Sequence, residues 1–319
     1  MSRLNWSICI VFALVTICVG TWGDAYLLDL VAIAMLFGLF AASVDFSWGY
    51  CGVLNLGSGL YFGIGCYANA YCLKHDLGAS TGTALGFLVS ASTALAIGIA
   101  GLKPKATNVQ FGLIGLVLSL AARQISIGLY DLLGGSNGIT NVQRPVFRYQ
   151  TYTISFQNPV DYFWMVSVIV AIIVSGMRWV VHSHFGRILI CVRDAPEKAE
   201  SLGYDIYHTK LWATTITACV SSIAGALYAP LSGIAHPGLF GIIPNMLVLV
   251  WVAIGGQGSL LGPFLCAVIL KLVESELGSN LENIYVLVMG VTFVVTVVFW
   301  PRGVFAKTRG TSARTSPND

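Results

Sequence analysis

Residues 131–142, DLLGGSNGITNV, contain the spacing GxSxG at Gly134, Ser136 and Gly138, the pattern in which a hydrolase lifts a nucleophilic serine on a sharp turn. That chemistry also needs a strand before the turn, a helix after it, and His and acid partners, and the surrounding residues supply no sheet. A tight external turn through Gly134, Gly135, Ser136, Asn137 and Gly138 is the simpler reading, with contact to a delivering protein or to substrate as the functional alternative. His182, His184 and His208 form the remaining polar group of catalytic type, and the i, i+2 spacing of His182 and His184 makes a weak pair. The eight cysteines, Cys9, Cys18, Cys51, Cys66, Cys72, Cys191, Cys219 and Cys266, fall mostly inside apolar segments without paired CxxC spacing, as small core hydrophobes do. No GxxxxGK[ST] phosphate loop occurs. These residues predict no catalytic centre, no metal and no cofactor.

Charges inside apolar segments mark ion or substrate pathways, because lipid makes them costly. The candidates are Asp29, Asp45, Arg123, Lys271 and Glu274. Asp45, Lys271 and Glu274 are expected to reach the interface from span ends, Asp29 sits in the first turn of its span, and Arg123 is the deepest. So few buried acids argue against a proton- or sodium-coupled pump, and without a phosphate loop directional transport would need an outside motor.

The elements that must position these residues are membrane helices. Hydrophobic residues make up 56% of the 319 and charged residues 10%, well under the roughly 25% charged of soluble chains; the mean hydropathy is +0.79. A net charge of +3, with the bases gathered in a few loops, leaves no basic face for nucleic acid. Apolar stretches at about 6–22, 26–47, 59–73, 82–102, 108–130, 161–181, 209–231, 240–255, 259–275 and 283–300 predict an all-α, polytopic transmembrane helical bundle of about ten spans, some short or broken by glycine. The stretch from Trp6 to Trp22 reads as a retained first helix. With Arg3 inside, Lys103, Lys105, Arg187, Arg193, Lys198, Arg302, Lys307, Arg309 and Arg314 also fall inside, provided the chain crosses twice between 240 and 275 and turns at Gly255–Gly258. Arg144 and Arg148, in an external loop over 131–160, are the one exception. Many of the 35 glycines lie within spans, where they let helix backbones approach.

The longest internal polar insert, 186–208, mixes Arg187, Arg193, Asp194, Glu197, Lys198 and Glu200 with a helical apolar spacing at Ile188, Leu189, Val192, Ala195, Ala199 and Leu202. It predicts an amphipathic helix capped by Gly203. Such a helix either anchors at the interface or docks into a partner, and alternating charges over small residues suit a protein groove better than a lipid surface.

Three motifs carry a resemblance to the membrane subunits of ABC importers for branched-chain amino acids, urea and short amides. WGYCGVLNLGSGLYFGIGCY at 48–67 is similar to the family's glycine-rich segment. GGSNGIT at 134–140 is close to its external turn, and the region from FGRILICVRDAPEKAESLG through KLWATTITACVSSIAGALYA to VWVAIGGQGSLLGPFLCAVIL looks like its coupling region and the helices after it. WPRGVFA resembles its usual close. Asn55 and Ser58 depart from the Ser and His that the family commonly has there. The stretches at Trp48 and Val250 look more like the urea branch than the leucine branch.

The resemblance implies one permease domain over 1–319, with a coupling loop at 186–208 and a flexible cytoplasmic tail at 304–319. It implies a multi-pass protein of the inner membrane with both termini cytoplasmic. The implied partners are a second homologous permease, cytoplasmic ATP-binding subunits and a periplasmic binding protein, besides membrane lipid. Arg187, Arg193, Asp194, Glu197, Ala199, Glu200 and Gly203 would lie on the ATPase-coupling helix. Asn55, Gly57, Ser58, Gly63, Gly65, Gly255 and Gly256 would border the translocation path. A self-sufficient channel or secondary carrier is the alternative, and a membrane enzyme a further one.

Overall fold

A computed structural model of the chain describes residues 23–102, 108–149 and 152–278, together with Thr16, residues 19–21 and Gly290. The expected spans at 6–22 and 283–300 lie almost wholly outside these residues. Lys103, Lys105 and the 304–319 tail lie outside them too.

The other eight apolar stretches each coincide with a helix. These are α1 (Ala25–Asp45), α2 (Gly59–Lys74), α3 (Ala79–Gly101), α4 (Asn108–Gly128), α5 (Pro159–His182), α8 (Ile206–Ser232), α9 (Ile242–Gly255) and α10 (Leu261–Gly278). The polar insert supplies α6 (His184–Asp194) and α7 (Pro196–Ser201). Five described segments are long and apolar enough to cross a membrane: Ala25–Tyr50, Ala79–Gly101, Gln110–Gly128, Pro159–His182 and Ile206–Ser232. The protein is thus an all-α polytopic membrane protein. Among the described residues, strands are confined to two short antiparallel pairs, β1 (Ile139–Thr140) with β4 (Ile234–Ala235) and β2 (Val146–Tyr149) with β3 (Tyr152–Ser155).

Local signals explain the boundaries. Pro159, at the first turn of α5, follows an extended Asn158. Asp205 caps α8 by accepting the His208 N–H at 3.0 Å, and Gly233, with φ +69°, closes that helix in the left-handed conformation. α1 runs on into a π-turn, Phe46–Tyr50, after which 51–58 is non-helical until α2 begins.

α1 and α8 form the centre, 78% and 72% buried over their most apolar stretches against 33%, 28% and 33% for α3, α4 and α5, which therefore lie outermost. α2 crosses α8 with backbones almost touching: a Cβ on Gly65 would overlap the Ser222 carbonyl, and one on Gly225 the Phe62 carbonyl. Phe37, Phe40, Phe62, Tyr228 and Trp251 fill the space between α1, α2, α8 and α9 with ring centroids 5.0–5.7 Å apart.

The chain ends of these helices sort onto two faces. On one, Asp45 meets Gly258 and Leu260, and Arg193 meets Gly49. On the other, Tyr26 meets Ser275, Asp29 meets Arg144, and Val142 donates to the Gly233 carbonyl. Residues assigned to one side of the membrane by charge parity meet one another. α9 and α10 are separate helices that pack together across the turn at 256–260.

Candidate functional site

The 184–205 insert is two helices rather than the single amphipathic one its periodicity predicts. Pro196 has no N–H to donate and clashes with a helical predecessor, so Ala195 is thrown to φ −151°, ψ 72° and the helix restarts at Pro196. The second helix ends as expected: Gly203 takes φ +82°, its N–H reaches the Glu200 carbonyl at 2.9 Å, and the Tyr204 N–H reaches that of Ala199 at 3.0 Å. Arg187, Asp194, Glu197, Glu200 and Gly203 are exposed, as are Lys198 and Leu202, while Ala199 is fully buried beneath them. Arg193 is turned the other way. It holds Asp194 through Nε at 2.7 Å and Nη2 at 3.2 Å, and its Nη1 donates to the Gly49 carbonyl. The neighbouring Asp205 carboxylate accepts the His208 N–H and pairs with the His208 ring at 2.7 Å, contacts that hold its carboxyl below the usual range.

Asp45 departs from expectation. Instead of reaching the interface it is wholly buried, with Oδ1 accepting the Gly258 N–H at 2.7 Å and Oδ2 the Leu260 N–H at 2.9 Å. Two backbone donors satisfy a carboxylate that would otherwise be expensive to enclose. Lys271 and Glu274 pair with each other at 2.8 Å, and the Lys271 ammonium lies 4.7 Å from the centre of the Phe37 ring. Arg123 faces outward from α4.

The residues expected along a path fall into two groups. Asn55, Gly57 and Ser58 build the break between α1 and α2: Asn55 Oδ1 accepts the Gly57 N–H at 2.9 Å, and Ser58 Oγ donates to the Asn55 carbonyl at 2.9 Å. Gly57 lies directly against the Gly115 carbonyl of α4. Gly63 abuts the Phe240 ring and Gly65 the α8 backbone, so in this state both serve helix packing. Gly255 abuts Gly262 and Pro263 where α9 turns towards α10, and Gly256, at φ +92°, opens that turn.

Sequence reasoning missed Asn245. Buried in α9, it accepts the Gly59 N–H at 2.7 Å and donates to the Gly241 carbonyl at 2.8 Å and to Ser119 Oγ at 3.2 Å, while Ser119 donates to the Phe240 carbonyl at 2.9 Å. It thereby ties the start of α2 to α4 and α9. A lone polar residue within an apolar run was its only sequence signal.

On the opposite face, Gly134, Gly135, Ser136, Asn137 and Gly138 form a compact turn whose three glycines have φ between +61° and +77°. The turn leads into β1, which pairs with β4 at the end of α8. Next to it, Arg144 forms a two-oxygen ion pair with Asp29 at 2.6 and 2.7 Å and donates to the Gln157 carbonyl at 3.1 Å. His182 bonds the Arg178 carbonyl, His184 lies by Tyr204, and His208 joins Asp205, so these histidines do not converge. Among the described residues no group of three or more His, Cys, Asp or Glu comes within metal-binding distance.

The family described as branched-chain amino acid transport system, permease component, matches residues 26–297. The high-affinity branched-chain amino acid transport system permease protein LivM of Salmonella typhimurium is 26% identical over 302 residues, spanning 88% of this chain and 70% of its own length. The LivM protein of Escherichia coli is 24% identical over 302 residues, with the same coverage. Both names refer to branched-chain amino acids and neither to urea. No solved structure matches the chain.

Proposed function

The chain belongs to the branched-chain amino acid transport permease family and is the permease subunit of an ATP-driven importer, and from that premise we propose that its cargo is a branched-chain amino acid and that its motor docks on the α6–α7 face. It lies in the inner membrane with both termini cytoplasmic and pairs with a second homologous permease. A periplasmic binding protein delivers substrate to the face bearing Gly134–Gly138. Cytoplasmic ATP-binding subunits grip the exposed side of Arg187, Asp194, Glu197, Glu200 and Gly203.

The observation that carries this reading is the form of the α6–α7 insert. Acids and bases project outward over a fully buried Ala199, and the Pro196 break gives the surface a bend that a groove can register. Closure of the motor pair pushes this element and rocks the spans to open inward. The interrupted backbone at Asn55–Ser58 and at Gly255–Gly256 is where the path opens, with Gly63 and Gly65 behind the first of these. The chain itself performs no covalent chemistry, and selectivity rests mainly with the binding protein.

Reversing charge at Glu197 and Glu200 together, E197K with E200K, tests the docking face. Co-purification of the ATP-binding subunits is expected to be lost while membrane insertion is retained. Undiminished recovery of those subunits would end the docking assignment. Offering labelled leucine and labelled urea to the assembled importer decides the cargo, with uptake expected for leucine.

A further inference from the structure

We infer that Arg193 and Asp45 form a mechanical relay, in which Arg193 carries movement of the motor-docking element to the end of α1 and Asp45 passes it to the turn between α9 and α10. The relay deepens the docking assignment above and rests on it. In this arrangement Arg193 is a positioning residue rather than part of the docking surface.

The three elements meet through short contacts. The Arg193 stem lies against Gly52, where an added Cβ would sit 2.8 Å from Cγ. Its guanidinium binds the Gly49 carbonyl within the π-turn. Gly49 has no room for a side chain, since a Cβ there would overlap both Asp45 Oδ1 and the Gly258 backbone nitrogen. Asp45, one residue before the π-turn, spans the Gly258 and Leu260 N–H groups with its two oxygens. A Cβ on Gly258 would in turn lie 3.1 Å from the Gly49 carbonyl oxygen and 3.4 Å from Arg193 Nη1. A continuous line therefore runs from Asp194 through Arg193 and the π-turn to Asp45 and the 256–260 turn.

The surroundings suit transmission of movement better than a fixed clamp. Backbone on both sides of the junction is interrupted: 51–58 is non-helical, and the far turn holds Gly256, Gly258 and Leu260 at φ +92°, +75° and +55°. Packed contacts of this kind transmit displacement rather than absorb it. The Phe46–Tyr50 segment is a π-turn, a rare backbone form that recurs at functional sites. From the docking insert, the Arg193 side chain, 27% exposed, reaches into the Phe46–Tyr50 turn and bonds it at Gly49.

The test uses the complete importer in proteoliposomes, measuring ATP-binding subunit recovery, ATP hydrolysis and substrate uptake together. Arg193→Met keeps the apolar stem and removes the hydrogen bonds. It is expected to leave subunit recovery unchanged while uptake per ATP hydrolysed falls about tenfold, the size of one lost charge-assisted hydrogen bond. Arg193→Lys, which retains a donor and the charge, is expected to restore much of the ratio. Asp45→Asn is expected to lower the same ratio, and the double variant to fall no further than the worse single, because both act on one line. If Arg193→Met fails to insert, Arg193→Gln carries the same test, with a loss of about threefold expected. Loss of subunit recovery in parallel with uptake would make Arg193 a docking contact and overturn the relay. An unchanged ratio, or additive losses in the double variant, would overturn it equally. The E197K/E200K variant runs alongside: intact recovery there refutes the docking face, whereas the Arg193 and Asp45 ratios alone decide the relay.

Discussion

Asp29 and Arg144 are 115 positions apart and solve a problem that neither reveals alone. The side order expected from the sequence sets this base apart from the other bases, and here it closes on a carboxylate near the start of α1, with the Tyr162 ring centre 6.0 Å from its guanidinium carbon. The pair thereby pins the loop between β1 and α5 to the central helix. Its side chains are 30% and 17% exposed, so the interaction is less screened than a surface pair. Arg144→Ala and Asp29→Asn are each expected to cost about 2 kcal/mol, read as an earlier midpoint of thermal unfolding in detergent. The double variant is expected to fall little beyond the larger single, and fully additive losses would contradict the pairing. Asp45 makes the complementary point about legibility. Its position near a span end suggests snorkelling, and only its backbone partners at 258 and 260, more than 200 residues on, explain why it stays inside.

Helices were the most legible level, because a membrane leaves a long apolar run almost no other fate. The eight described segments begin and end within a few residues of the hydropathy boundaries. The division of the insert into α6 and α7 was readable from Pro196 but hidden by the strong apolar periodicity on either side. Contacts between helices were not readable. Gly65 and Gly176 look alike in sequence, each a glycine inside an apolar run, yet Gly65 is pressed on the α8 backbone while nothing lies within 4 Å of a Cβ on Gly176. Gly65→Leu is accordingly expected to abolish a monodisperse peak in size-exclusion chromatography, and Gly176→Leu to leave it unchanged. Equal behaviour of the two variants would contradict the α2–α8 crossing.

At the scale of the whole molecule, a central pair of helices is wrapped by outer ones whose apolar faces stay open, as at Leu88, Val117 and Ile172. These faces are available to lipid and, in the assembly proposed above, to a second permease. Fold class and family followed from hydropathy and from motifs spread along the chain. The candidate site was only partly legible, since charge order marks the 184–205 insert while the junction behind it depends on contacts between distant segments. The central claim is that this bundle moves substrate only when an external motor drives it. The direct measurement is uptake of labelled leucine into proteoliposomes holding this chain and its partner permease, with and without the ATP-binding subunits, binding protein and ATP. Accumulation against a gradient is predicted only in the complete mixture, and uphill accumulation by the purified chain alone would contradict the account.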